Sequence, residues 1–206
     1  RRSLGDKRRK IGEGKDGEPD QIAITVKEYG RFKASETTKL FDNADFGYTR
    51  VTVERPLRLR FEMTAEAKAR FLAAYPHLRG DIAALEKALG RGPLRDWNTV
   101  HASVLDLLHE RKSTWKKPEY KLFRDTFTQS DPVAEPVLKG KRGEGYEPDS
   151  ALRDCENVPL KEDIDEYFRR EVLPHVPDAW MDRSKDKVGY EINFNRHFYR
   201  YTPPRP

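Results

Sequence analysis

A chain of 206 residues can form one or two domains with a buried core. Its 40 Lys and Arg against 35 Asp and Glu give a net charge of +5, which suits a polyanionic partner without requiring one. No stretch approaches the ~18 apolar residues of a membrane span, and no signal-peptide pattern opens the chain. Cys155 is the single cysteine, which excludes an internal disulfide and a cysteine-based zinc site. We therefore expect a cytoplasmic protein. Because the chain opens with Arg1 rather than Met, we also expect a fragment of a larger protein.

The first 63 residues predict helices followed by extended segments. Residues 1–12 carry six cationic side chains on a short helix. Asp20 is a suitable N-cap for a second helix that runs to Phe32, with an apolar face formed by Ile22, Val26 and Tyr29. From residue 46 the period changes, and two extended segments are expected on either side of Pro56.

The rest of the chain predicts a helical insert, a polar loop and a final helix with strands. Residues 64–128 have helical periodicity, interrupted at 90–93 by Gly-Arg-Gly-Pro, and residues 129–160 are rich in Pro, Gly and charge, as in a connecting loop with a short hairpin. Residues 161–206 predict a helix over 161–173 and strands over 188–201, which pack back on the first segment, 1–63. We expect an α+β fold, mainly helical, in which 47–61 pairs with 187–201 to form a small antiparallel sheet.

The residues that a base methyltransferase needs are not found. Three Gly-x-Gly triplets, at 12–14, 90–92 and 143–145, lie in polar loops without the preceding buried strand of a cofactor-binding turn. The closest approach to an Asn/Asp-Pro-Pro-aromatic loop, which holds a flipped base, is Asn-Val-Pro-Leu at 157–160. This lacks the second proline and the aromatic residue.

Other catalytic sites have weak support. Cys155 with a histidine could supply a nucleophile and base, but nothing in the sequence places them together. His175 and His197 lack metal-ligand spacing, and the carboxylates around Asp163 and Asp165 are typical of a solvated helix face. We expect structural roles for all of them.

Two groups of cations are candidates for contact with DNA. The first is the amino-terminal cluster Arg2, Lys7, Arg8, Arg9 and Lys10, which could neutralise phosphates, although a solvated helix explains it equally well. The second is Arg196 and Arg200, which alternate with aromatic residues as in segments that stack on bases. A strand whose aromatics enter a core explains that pattern too, and we favour the strand.

Three stretches resemble signatures downstream of the catalytic domain in the modification (M) subunit of type I restriction-modification systems. They are residues 41–59, FDNADFGYTRVTVERPLRL; residues 152–180, LRDCENVPLKEDIDEYFRREVLPHVPDAW; and residues 187–205, KVGYEINFNRHFYRYTPPR. The opening RRSLGDKRRKI resembles the element that follows the methyltransferase core, and the order and spacing also fit. Cys155 departs from the pattern, which has a small polar residue such as Thr there.

The resemblance implies a parent DNA adenine methyltransferase that uses S-adenosylmethionine and works in a complex with a specificity subunit. Restriction subunits can join that complex. This chain would be the C-terminal accessory region of the methyltransferase, with no cofactor of its own and no activity alone. The resemblance also implies a long helix beyond Pro206 that packs on the specificity subunit. Without that helix, we expect this chain to assemble with the specificity subunit only through other contacts.

Three functions remain open. The region could clamp double-stranded DNA through sequence-independent phosphate contacts while helping the complex assemble. It could instead be a structural docking region that never touches DNA. A nuclease or hydrolase domain is the third hypothesis, and a metal-dependent cleavage assay tests it.

Overall fold

The computed structural model describes residues 19–140 and 144–192. The helices are α1 (Gln21–Arg31), α2 (Ala65–Ala74), α3 (Arg79–Leu89), α4 (Trp97–Glu110), α5 (Lys117–Phe127) and α6 (Ile164–Tyr167), the last continued by a π-helical turn, Phe168–Val172. The strands are β1 (Gly47–Glu54), β2 (Leu59–Phe61), β3 (Thr128–Ser130), β4 (Asp154–Pro159) and β5 (Trp180–Tyr190). This confirms the expected α+β fold, mainly helical with little sheet.

Side-chain caps explain where several helices begin. The Asp20 carboxylate accepts a hydrogen bond from the Ala23 N–H at 2.8 Å, and Thr64 Oγ1 accepts one from Ala67 at 3.1 Å. These bonds satisfy backbone donors that lack a partner inside the helix. Gly90 follows the end of α3 with a φ of 77°, and glycine suits this position because a positive φ strains residues that carry a Cβ.

Two small sheets hold the strands. β1 lies between β4 and β5 in a three-stranded antiparallel sheet, while β2 pairs antiparallel with β3 in the register Leu59↔Ser130 and Phe61↔Thr128. The expected pairing of 47–61 with 187–201 therefore holds for β1, although β5 already begins at Trp180. It is wrong for β2, because the chain leaves the first sheet near Pro56, which has no N–H to continue the pairing. Residues 193–201 lie outside the described residues.

Within the described residues, the chain forms two compact units. Unit one comprises residues 19–49, 159–162 and 188–192, and unit two comprises residues 50–140, 144–158 and 163–187. The four-part division by sequence, 1–63, 64–128, 129–160 and 161–206, stays a prediction.

The main core of unit two is aromatic. Phe61 of β2 is fully buried and packs on Trp97, Phe123 and Phe127, with ring centroids 6.0–6.3 Å apart. Helices α2 to α5 supply most of the remaining core residues. Such aromatic contacts stabilise a core beyond the area that they bury. A smaller cluster joins Val53 of β1 to Phe168 and Val172.

The segment 129–160 is more structured than the expected polar loop. Ala134, Val137 and Val158 are buried, and β4 occupies its end. Single apolar residues among prolines and charges give no periodic signal, which is why the pattern predicted a loop. The short hairpin has a counterpart in the bridge between Leu138 and Tyr146.

The helix expected over 161–173 is an α-helix only from Ile164 to Tyr167, after which the hydrogen bonds become π-helical. Its buried face, Phe168 and Val172, is the expected one. Within residues 19–140 and 144–192, every helix is too short or too polar to cross a membrane.

Candidate functional site

The predicted DNA contacts all fall outside the described residues. Arg2, Lys7, Arg8, Arg9 and Lys10 precede residue 19, and Arg196 and Arg200 follow residue 192. Their role as phosphate contacts stays a prediction.

The candidate catalytic residues within the described ranges are not brought together as a metal site. No group of three or more His, Cys, Asp and Glu side chains there is arranged to hold a metal ion. Cys155 is half-buried on β4, and His175 is exposed after the π-helical turn.

His101 and Tyr120 form a hydrogen-bonded pair between α4 and α5. Burial lowers the pKa of His101, with a smaller contribution from the Arg124 charge, and burial raises the pKa of Tyr120 to about 12. A hydrogen bond between an imidazole of lowered pKa and a phenol of raised pKa suits packing better than acid–base catalysis at neutral pH.

A buried carboxylate ties two sequence signatures together in unit two. Glu54, at the end of β1, is 2% exposed, and both of its oxygens accept hydrogen bonds from Arg153 Nε, at 2.9 and 3.0 Å. Lys185 of β5 donates a third bond at 3.0 Å. Burial alone would raise the pKa of Glu54, but the bonds and charges of the two cations outweigh burial and lower it. Glu54 is therefore an ionised anchor within the sheet.

A second carboxylate anchors the bend that follows β1. Asp178 accepts hydrogen bonds from Arg55 Nε at 3.1 Å and from an Arg58 terminal nitrogen at 3.3 Å. Burial acts to raise the pKa of Asp178, but the two arginines lower it overall. Arg55 and Arg58 belong to the signature 41–59, and Asp178 belongs to the signature 152–180.

In unit one, backbone hydrogen bonds connect residues of all three signatures. The Leu160 N–H donates to the Gly47 carbonyl at 3.1 Å, and the Glu191 N–H donates to the Phe46 carbonyl at 2.8 Å. A Cβ at position 47 would lie 2.2 Å from Leu160 Cδ1. Glycine suits this position because a Cβ would force the Leu160 side chain to shift.

Helix α1 presents an apolar face that its own unit does not cover. Ile22, Val26 and Tyr29 follow helical spacing, and the last two are 65% and 84% exposed. α1 has no buried residue, and a Cβ added at Gly30 would meet nothing within 4 Å. Contiguous exposed apolar surface is a feature of protein–protein, membrane and ligand contact sites alike.

The α4–α5 groove is an open depression of about 980 Å³ in unit two. Its apolar lining consists of Leu57, Leu59, Leu105, Leu108, Trp115 and Tyr120. Its rim carries His109, Lys117, Lys121 and Arg124 with Asp125 and Glu147. Sequence reasoning missed this groove because its lining comes from three separate regions of the chain.

Neither a family model, nor a curated protein, nor a solved structure matches this chain.

Proposed function

We propose that this chain is the C-terminal accessory region of the M subunit of a type I restriction-modification system, which helps clamp DNA and assemble the complex without catalysing a reaction itself. One observation carries the proposal. The three signatures contribute β1, β4 and part of β5, and these strands form one sheet although β1 is distant in sequence from β4 and β5. Their place in one sheet supports the proposal, because signatures of a single accessory region are expected to form one structural element.

The charged residues of the signatures support an architectural role. Glu54, Arg153 and Asp178 form ion pairs that hold the sheet and the adjoining bend. In this proposal the parent protein is a cytoplasmic DNA adenine methyltransferase, and S-adenosylmethionine is bound by its catalytic domain.

The apolar face of α1 is the surface that we assign to assembly with the specificity subunit. It is exposed over its whole length, as expected of a contact completed by another polypeptide. A restriction subunit could join the same complex, whereas phosphate contacts are assigned to the cations at the two chain ends.

Coexpression with the specificity subunit tests assembly. We expect a complex by size-exclusion chromatography with light scattering, and we expect Val26→Asp with Tyr29→Asp to weaken it at least about tenfold. The exposed residue Val133 provides a matched control, because Val133→Asp adds a charge to another apolar site and should leave the complex intact. A double variant that assembles like the wild type would overturn the role of α1. A wild-type chain that does not bind the specificity subunit would overturn the assembly function.

Duplex binding separates the clamp from a docking region without DNA contact. Affinity for a duplex of about 20 base pairs should fall steeply as salt rises, because phosphate neutralisation releases counterions. Absence of binding at low salt would favour docking alone.

A further inference from the structure

The walls of the α4–α5 groove are apolar and held in place by internal bonds. Trp115 Nε1 donates to Asp81 Oδ2 at 3.0 Å, and Tyr120 is bonded to His101. The polar atoms of these two aromatic residues are therefore already used, and the groove offers a ligand mainly hydrophobic surface. Leu105, 46% exposed, extends this surface to the rim.

The rim of the groove has an excess of positive charge. Arg124 donates to Glu147 at 2.9 Å, so these two charges offset each other. Of the remaining charged residues on the rim, Lys117 and Lys121 are cations and Asp125 is an anion, so the cations are in excess by one. Lys117 and Lys121 are exposed, and neither forms an ion pair with any residue in the described part of the chain. Lys117 and Lys121 lie one turn apart on α5, as residues i and i+4. Together they form a cationic row along the rim of the groove.

We propose that the α4–α5 groove binds an amphipathic helical segment of a partner protein, with apolar residues facing the leucines and acidic residues facing Lys117 and Lys121. A volume of about 980 Å³ is at the upper end for small-molecule pockets, and an open apolar groove between helices is the usual receptor for a helix. Charge complementarity selects an acidic segment. The inference does not rest on the proposed function.

Two other occupants fit less well. A duplex could place phosphates on the lysines but would leave the exposed Leu105 and the half-buried Leu57 uncovered, so that their burial would add nothing to affinity. Helix α1 of a second copy has an apolar face, but its Lys27 and Arg31 outnumber its single acid, Glu28. It would bring like charge to the row of lysines.

Two synthetic peptides of about 16 residues test the proposal on the 206-residue chain. They share leucines at positions i, i+3, i+4 and i+7, and their polar positions are glutamate in one and lysine in the other. By isothermal titration calorimetry, we expect the glutamate peptide to bind at least about tenfold more tightly. Lys117→Glu with Lys121→Glu should reverse this preference, and Leu105→Asp should weaken binding of the glutamate peptide by a similar factor.

Matched variants elsewhere on unit two serve as controls. Val133→Asp changes an exposed apolar residue outside the groove, and Lys87→Glu with Lys139→Glu changes two exposed lysines outside it. Both should bind the glutamate peptide like the wild type. Failure of both peptides to bind, equal affinity for both, or an unchanged preference after the lysine substitutions would overturn the proposal. So would a duplex that competes for the groove and binds the Leu105→Asp variant unchanged, which would indicate a phosphate surface instead.

Discussion

At the scale of single residues, Glu54 has the most demanding environment. It is buried, and its charge is balanced by Arg153 and Lys185, which are themselves 40% and 46% exposed. Glu54→Gln would leave two cations facing a neutral amide. Removing one partner of a fully buried pair costs about 3–5 kcal/mol. Because both cations reach solvent, we expect a smaller loss in the free energy of unfolding, about 1–3 kcal/mol, measured by urea denaturation.

Glu62 provides the control for that substitution. It pairs with Arg60 at 3.5 Å near the surface, and exposed pairs contribute about 0–1 kcal/mol. Equal effects of Glu54→Gln and Glu62→Gln would contradict the anchoring role of Glu54. The sequence could not predict this cluster, since its members are separated by about a hundred residues and no local pattern links them. The local sequence signal for Glu54 is its position as an acidic residue directly after the apolar residues of β1.

At the scale of elements, local patterns predicted helices better than strand partners. The Asp20 cap and helical spacing located α1 to within one residue at each end, and helical periodicity over 64–128, with its break at 90–93, indicated the region that holds α2 to α5. Strand pairing depends on residues distant in sequence, and so the partner of β2 and the existence of β4 were missed. The groove was missed for the same reason, because periodicity tells which face of a helix is apolar but not which faces remain uncovered.

Gly47, the first residue of β1, lies in close contact with Leu160 and Tyr190. Its added Cβ would meet Leu160 at 2.2 Å and Tyr190 Cε1 at 3.0 Å. We expect Gly47→Ala to reduce the free energy of unfolding by about 1–3 kcal/mol, because the surrounding side chains must shift. Gly92→Ala is the control, since nothing lies within 4 Å of its added Cβ and its change should stay within about 0.5 kcal/mol. If Gly47→Ala also lowers the free energy of unfolding by less than about 0.5 kcal/mol, the side chains around position 47 move aside without cost and the prediction is wrong.

At the scale of the whole molecule, buried and paired carboxylates link stability to pH. The pKa values of Glu54, Asp81 and Asp178 all lie below their ordinary values; for each, burial opposes the shift but donor groups prevail. Because the folded-state pKa is the lower one, the unfolded chain binds protons more readily as pH falls. The stability that these groups contribute is present above their ordinary pKa values of 4.5 for Glu and 3.8 for Asp, and it is lost as pH falls through the folded values.

We therefore expect the free energy of unfolding to change little between about pH 7 and pH 5.5 on account of these groups, and to decrease as pH falls further. Urea denaturation at a series of pH values measures this curve. Glu54→Gln removes one of the titrating groups, and so its curve should start lower and fall less steeply below about pH 4.5. Convergence of the two curves toward acid pH is the decisive sign. Parallel curves would mean that Glu54 has the same pKa in the folded and unfolded chains, and the buried anchor of the three-stranded sheet would then have to be sought in another residue.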